Sequence, residues 1–216
     1  MSAGPAGAWT KRALDLVLSV PALVVLSPVM LAIAVAIRAT MGRPVLFWQV
    51  RPGYKGTSFS IVKFRTMRDP LRPDGTIVPL NARVTRLGSI LRRTSLDELP
   101  ELWNVVKGEM SVVGPRPLLL EYLPRYSPEQ ARRHDVKPGI TGLAQVKGRH
   151  LVGWDDRFVL DVWYVDHWSL RLDLRIIIAT VGQLAGGQAV PDSTTENFWF
   201  GGTPVEARPH AQRTAE

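Results

Sequence analysis

The longest apolar stretch of the chain, LVLSVPALVVLSPVMLAIAVAI, runs from Leu16 to Ile37 without a charged residue. As a helix it reaches about 30 Å, the thickness of a bilayer's hydrocarbon core. Ser19 and Ser27 are its only polar side chains, so it lacks the polar face of an ordinary soluble helix. It passes into Arg38 and Arg43 rather than a small-residue cleavage site, which argues against a cleaved signal peptide. Pro28 lies mid-run, where it removes a backbone donor and crowds the turn before it. A break is therefore expected at Ser27-Pro28, with Pro21 adding distortion and Ser27 placed to bond a freed carbonyl. Lys11 and Arg12 flank one end of the run and Arg38 and Arg43 the other, and positive charge favours the cytoplasmic side. A helix that bends at Pro28 and returns to the same leaflet, and a straight span, stand as alternatives.

Beyond Arg43 the pattern changes to short mixed segments. PVLFWQV (44–50) and TSFSIVKFRTM (57–67) predict strands joined by the turn RPGYKG. DPLRPDGTIVP reads as a polar loop. RVTRLGSILRRT is a basic helical stretch with Val84, Leu87 and Leu91 on one face. SPEQARRHDV carries a cap at Ser127 and Pro128 at the first helical position. VKPGITGLAQVKG predicts a glycine-containing loop with a short strand, and WDDRFVLDVWYVDHWSL an amphipathic helix. RLDLRIIIATVGQLA is a second such helix, apolar enough for a membrane interface. The expected fold is α/β and predominantly α: a membrane segment over 1–43, a compact domain over 44–190 and a tail over 191–216.

Lys and Arg number 27 against 19 acidic residues, a net charge of +8, which favours anionic partners. The chain has no cysteine, which excludes disulfides, thiolate catalysis and Cys-based metal sites. Its histidines, His134, His150, His167 and His210, show no paired spacing, and the common phosphate-loop, dinucleotide and hydrolase signatures are absent. The basic residues do not form the pattern of a specific nucleic-acid reader. No nucleic-acid partner is expected, and the competing class is a non-enzymatic basic membrane protein that binds nucleic acid or anionic lipid.

The candidate chemistry lies in RRTSLDELPELWNVVKGEMSVVGPRP (92–117). Ser95 and Glu98 match a capping box, and Asp97 and Glu98 would complement a helix start. The same carboxylates, with Arg92 and Arg93 nearby, are expected to stay ionised. One could then attack an electrophile while the other holds a metal or a proton. Arg116, rigid between two prolines, suits bidentate phosphate binding. Lys63 and Arg65 alternate around Phe64 and are expected on one strand face. Together these groups suit a pyrophosphate with Mg²⁺.

The ordered set KFRTM, RVTRLGSILRRTSLDELPELWNVVKGEMSVVGPRP, KPGITGLAQVKGR and DVWYVDHWSLRLDL resembles the bacterial sugar transferase family, the monotopic phosphoglycosyl transferases, from about Lys11 to Val181. The resemblance implies transfer of a sugar-1-phosphate from a UDP-sugar to undecaprenyl phosphate at the cytoplasmic face of the bacterial membrane, the first membrane step of polysaccharide or glycoconjugate synthesis. It implies Mg²⁺ and a covalent phosphosugar on Asp97, with UMP leaving first. Glu98 matches the second acid of the dyad, assigned to Mg²⁺, with Asp97 as the other ligand, and to activation of the polyprenyl phosphate. Arg116, Lys63 and Arg92 match basic residues of the same site. The resemblance also implies a re-entrant helix broken at Ser27-Pro28, embedded in membrane lipid. Larger members carry spanning helices and a further domain ahead of this region, so the chain is similar to the minimal form. A homodimer is compatible with the sequence, and Phe198 and Trp199 are expected to cover the sugar.

Overall fold

A computed structural model describes residues 5–69, 76–148 and 153–185. The tail at 191–216, with Phe198 and Trp199, lies outside the described residues. Helix α1 spans Pro5–Met41. Strands β1 (Leu46–Pro52) and β2 (Ser58–Phe64) form an antiparallel hairpin in which Phe47 lies opposite Lys63. Then come α2 (Leu80–Arg83), α3 (Arg86–Arg93), α4 (Glu101–Lys107), β3 (Ser111–Val113), α5 (Pro128–Ala131), β4 (Gly139–Thr141), α6 (Leu143–Gly148), α7 (Trp154–Asp166) and α8 (Leu170–Ala185). β3 and β4 pair in parallel. The described residues are thus predominantly helical around two small sheets, as expected. The hairpin, α3, the capping box at Ser127 and the two late helices stand where the pattern put them. Helix α6 falls within a segment read as loop and strand.

Helix α1 stays helical through Pro21 and Pro28, so Ser27-Pro28, where a kink or break is expected, does not separate two helices. In an α-helix the amide of residue 28 would bond the carbonyl of Val24, and proline has no amide to give. Ser27 Oγ donates to that carbonyl instead, at 2.7 Å. The acceptor orphaned by proline is therefore satisfied within the helix, and the ladder need not open.

Both ends of α1 pack on the same globular body. Near its start, Lys11 Nζ meets Asp173 Oδ2 of α8 at 2.7 Å, and Arg12 donates to the carbonyls of Val105 and Val106 at 2.6 and 2.7 Å. Asp15, one turn on, accepts from Ser111 Oγ and the Val112 amide. Towards its end, Ile33 and Ile37 are buried with Phe64 of β2 and Leu91 of α3. Between these anchors Val17, Val24, Val25, Leu31 and Val35 are exposed. The most apolar window of α1 has mean hydropathy 2.6 and is only 11 % buried, so α1 is not a core helix. Leu174, Ile178 and Val181 form a further exposed apolar stripe on α8.

Two close backbone approaches set the frame of the site. A Cβ on Gly88 would lie 2.0 Å from the Thr66 carbonyl, so only glycine lets α3 press against the end of β2. Gly114 and Gly139 meet in the same way where β3 passes β4, and a Cβ on Gly139 would lie 2.1 Å from the Gly114 nitrogen. The GPRP segment is thereby held against the KPG segment.

Asp173, fully buried, accepts from Lys11, from the Tyr164 hydroxyl at 2.7 Å and from Trp168 Nε1 at 3.0 Å. Asp173→Ala leaves a half-buried ammonium without its carboxylate and is expected to destabilise the protein by about 3 kcal/mol. In thermal unfolding of the detergent-solubilised chain this is a fall of roughly 6–12 °C. Trp168→Phe, which deletes one neutral donor, should cost about 1 kcal/mol. Equal losses would show that the Lys11–Asp173 pair is not what holds α1.

Candidate active site

Asp97 and Glu98 do not open an α-helix. They sit in a 3-10 turn, Leu96–Glu98, between α3 and α4. The expected capping box is not formed, because Ser95 is left-handed (φ 57, ψ 17) and its side chain makes no cap hydrogen bond. The left-handed geometry costs about 1–2 kcal/mol in a residue with a Cβ. It reverses the chain directly after α3 and turns the dyad inward. Asp97 is buried as a result, and the Glu98 carboxylate, freed from the capping role, reaches across to cations on other elements.

Those cations come from distant parts of the chain. Lys63, on β2, places Nζ 2.8 Å from Glu98 Oε1. Arg116, in the turn after β3, places Nη2 2.7 Å from the same oxygen. Arg92, in the last turn of α3, donates from Nε to Thr66 Oγ1 at 2.9 Å and lies close enough to Asp97 to stabilise its charge. Four of the sequence-derived residues, Asp97, Glu98, Lys63 and Arg116, thus converge, with Arg92 at their edge. Arg65 points elsewhere: its donors reach the carbonyls of Met67 and Arg43, and Asp69. The strand ends at Phe64, so the alternation that would have aligned Arg65 with Lys63 is lost one residue too early.

Several residues that position this set carry no sequence signal of their own. Arg133 is buried against Asp161 at 2.7 Å and donates to the Arg116 carbonyl at 2.8 Å. Arg51 donates to the next carbonyl, that of Pro117, at 3.3 Å. Two buried guanidinium groups therefore hold the backbone of the Pro-Arg-Pro turn. Glu101, one turn beyond Glu98, is 1 % exposed and brings Oε1 within 3.1 Å of Lys63 Nζ. The signal available for it was a third acid within one turn of the dyad.

The three carboxyl groups differ electrostatically. Burial, followed by the nearby charge of Glu98, pushes Asp97 up to about 6, against the opposing pull of Lys63, Arg92 and Arg116. Desolvation thus makes Asp97 a weaker acid than a solvated aspartate while leaving it mostly ionised at neutral pH, as expected. Burial acts on Glu98 in the same direction, but Arg116 and Lys63 outweigh it and hold that carboxyl well below its usual range. Burial pushes Glu101 up to about 7 despite Lys63. Adjacent carboxyl groups with opposite shifts are suited to different tasks. A phosphate-bound Mg²⁺ takes only one or two carboxylates from protein, a number that Asp97 and Glu98 would meet. Among the described residues no cluster of three or more metal-ligating side chains exists, so the donor set fits an ion that shares its shell with substrate phosphates.

Asp97 holds its proton more tightly folded (about 6) than unfolded (3.8), so the stability linked to it is highest at low pH. That stability is lost as pH rises through this window. Asp97→Asn should therefore raise the unfolding temperature at pH 7.5 by roughly 2–6 °C, with the gain shrinking progressively as pH falls towards 3.8. Glu98 has the opposite sign, contributing stability above its unfolded value of 4.5 that is lost as pH falls. Glu98→Gln should lower the unfolding temperature at pH 7.5. Parallel shifts of the two variants across pH would contradict the division.

The profile described as Bacterial sugar transferase matches residues 6–187. The uncharacterized sugar transferase EpsL of Bacillus subtilis (strain 168) is 47 % identical over 191 residues, 87 % of this chain and 95 % of its own. The exopolysaccharide production protein ExoY of Rhizobium meliloti (strain 1021) is 37 % identical over 194 residues, 82 % of this chain and 86 % of its own. A Klebsiella pneumoniae protein named UDP-glucose:undecaprenyl-phosphate glucose-1-phosphate transferase is 42 % identical over 181 residues, 79 % of this chain and 39 % of its own. The chain spans 35 to 40 % of the length of this and other large relatives. The profile covers most of the chain, and the chain belongs to the bacterial sugar transferase family.

Proposed function

We propose that the chain is a phosphoglycosyl transferase that moves a sugar-1-phosphate from a UDP-sugar to undecaprenyl phosphate through a covalent intermediate on Asp97. The observation that carries this reading is a buried, basic Asp97 beside a Glu98 clasped by Lys63 and Arg116. Relatives named for transfer from UDP-glucose to undecaprenyl phosphate support it and make UDP-glucose the first donor to test. In the first step an Asp97 oxygen attacks the phosphorus that bears the sugar. The bond from that phosphorus to the bridging oxygen breaks, and UMP departs with the electron pair. In the second step an oxygen of undecaprenyl phosphate attacks the same phosphorus, forming the lipid diphosphosugar and restoring the Asp97 carboxylate. Lys63, Arg92 and Arg116 neutralise the diphosphate, the main demand of phosphoryl transfer. Glu98 and Asp97 would hold Mg²⁺, which supplies further charge neutralisation when bound.

We place the protein at the bacterial inner membrane with its catalytic domain in the cytoplasm. A straight span would put Lys11 and Ile37 on opposite sides of a hydrocarbon core about 30 Å thick. Both ends of α1 touch one globular body through polar and apolar contacts, which favours entry and return on one face by a bend within the continuous helix at Pro28. The bare valines of α1 and the stripe on α8 supply the lipid-facing surface.

With UDP-glucose, then other UDP-sugars, and Mg²⁺, the purified chain should release UMP continuously when undecaprenyl phosphate is present. Without the acceptor it should give one UMP per active site and retain the labelled sugar on the protein. Asp97→Asn should lower release by at least about a thousandfold and retain no label. Steady release from this variant removes Asp97 as nucleophile. For topology, Thr10→Cys and Thr40→Cys exploit the absence of native cysteine. Both should react with an impermeant thiol reagent from the same side of oriented vesicles, and opposite-side reaction would establish a span.

A further inference from the structure

Glu101 is a buried acid that the proposed reaction leaves without a task. Its carboxylate is 1 % exposed, and Oε1 lies 3.1 Å from Lys63 Nζ yet makes no hydrogen bond. The contact is close in distance but off the line a hydrogen bond needs, and the better aligned ammonium contact goes to Glu98 at 2.8 Å. A buried carboxylate oxygen without a hydrogen bond is unusual enough to require a reason.

The frame around the pair is fixed. Asn104, three residues beyond Glu101 on α4, accepts from the Val62 amide at 3.1 Å and donates to the Ser60 carbonyl at 2.8 Å. Helix α4 is thereby bolted to β2 beside Lys63, so Glu101 and Lys63 keep a set register. Glu98 is differently placed, in a short 3-10 turn, with one oxygen shared by Lys63 and Arg116. When a diphosphate and its divalent cation enter, Glu98 must loosen those contacts to engage them. Lys63 then gives up its 2.8 Å contact, and its flexible four-carbon stem leaves the ammonium able to swing.

We propose that Glu101 is a positioning residue that holds the Lys63 ammonium in the site while Glu98 exchanges its cationic partners for substrate. A small rotation of Nζ brings it onto the waiting Oε1, so Lys63 changes carboxylates without leaving the pocket. The kinetic consequence of this inference rests on the transferase reading; the geometric consequence does not.

The test uses the full detergent-solubilised chain and two readouts. In UMP release, Glu101→Gln should lower kcat/KM about tenfold without lowering the unfolding temperature at pH 7.5. Lys63→Met should lower kcat/KM further, and the double variant should match Lys63→Met within about twofold, since the two act as one unit. Wild-type rates in Glu101→Gln, or losses that multiply in the double variant, would overturn the proposal. The second readout needs no turnover: acylation of Lys63 by a water-soluble succinimidyl ester, followed by peptide mass spectrometry. Glu98→Gln should leave the labelling rate within about twofold of wild type, and adding Glu101→Gln should raise it at least fivefold. Equal rates in the two variants would overturn the tether even in a preparation that turns over every UDP-sugar. Absence of UMP release from wild type together with the expected labelling pattern would instead discard the transferase reading and keep the tether.

Discussion

Three acids within five residues, Asp97, Glu98 and Glu101, are turned into the protein together, and the rest of the fold answers the repulsion this creates. Two unit charges at 4 Å interact by about 1 kcal/mol in water and several times more near a protein interior. No local sequence choice relieves that, because the cations come from β2, from α3 and from the turn after β3. Closing the β1–β2 hairpin on α4 delivers Lys63. Pressing Gly114 against Gly139 delivers Arg116, whose backbone Arg133 then fixes. The site is therefore a product of long-range closure, and packing and electrostatics cannot be separated in it. A mutation that loosens β3 from β4 acts on the charge balance at Glu98 even though neither strand carries a charged group of the site.

The membrane helix is governed by the same rule in a different setting. An apolar helix has no reason to choose one face of a globular domain over lipid, since its side chains are as well accommodated in either. What fixes α1 is polar: Lys11 on Asp173, Arg12 on the carbonyls that end α4, and Asp15 on the start of β3. These partners attach α1 to the elements that carry Glu101 and lead to Arg116. The converging side chains of the site and the bare apolar surface of α1 are therefore built on connected elements, which suits the proposed reaction between a soluble donor and a lipid-borne acceptor.

Element positions were legible wherever period and punctuation agreed: the hairpin around RPGYKG, the capped turn at Ser127, and the late helices α7 and α8. The site was legible as a list of residues, because Asp97, Glu98, Lys63, Arg92 and Arg116 lie in motifs. It was not legible as an arrangement. The capping box at Ser95 failed because a left-handed residue satisfies a tertiary demand that no local pattern records. Arg65 was misplaced because strand alternation says nothing about where the strand stops. The bond from the Ser27 hydroxyl to the carbonyl freed by Pro28 was legible, but not that the segment stays helical with that bond in place. Arg133 and Asp161 were missed because a buried ion pair in two helical segments looks like surface charge until the segments are packed.

The opposite shifts of Asp97 and Glu98 also order the proposed reaction. In the resting site the cations are committed to Glu98, while Asp97 is desolvated, raised to about 6 and hence a stronger base than a solvated aspartate. An incoming diphosphate competes for Lys63 and Arg116 with its own negative charge, so each contact it gains is one that Glu98 can release. Glu98 therefore becomes available for metal or proton only as the donor seats. The same shift of cations toward substrate removes some of the positive charge that steadied Asp97, at the moment when its oxygen faces phosphorus. Had Glu98 been the unpaired acid and Asp97 the clasped one, the nucleophile would first have had to break two ionic hydrogen bonds. The proposed assignment of attack to Asp97, which the family resemblance implies, is thus supported by which carboxylate the fold leaves unclasped.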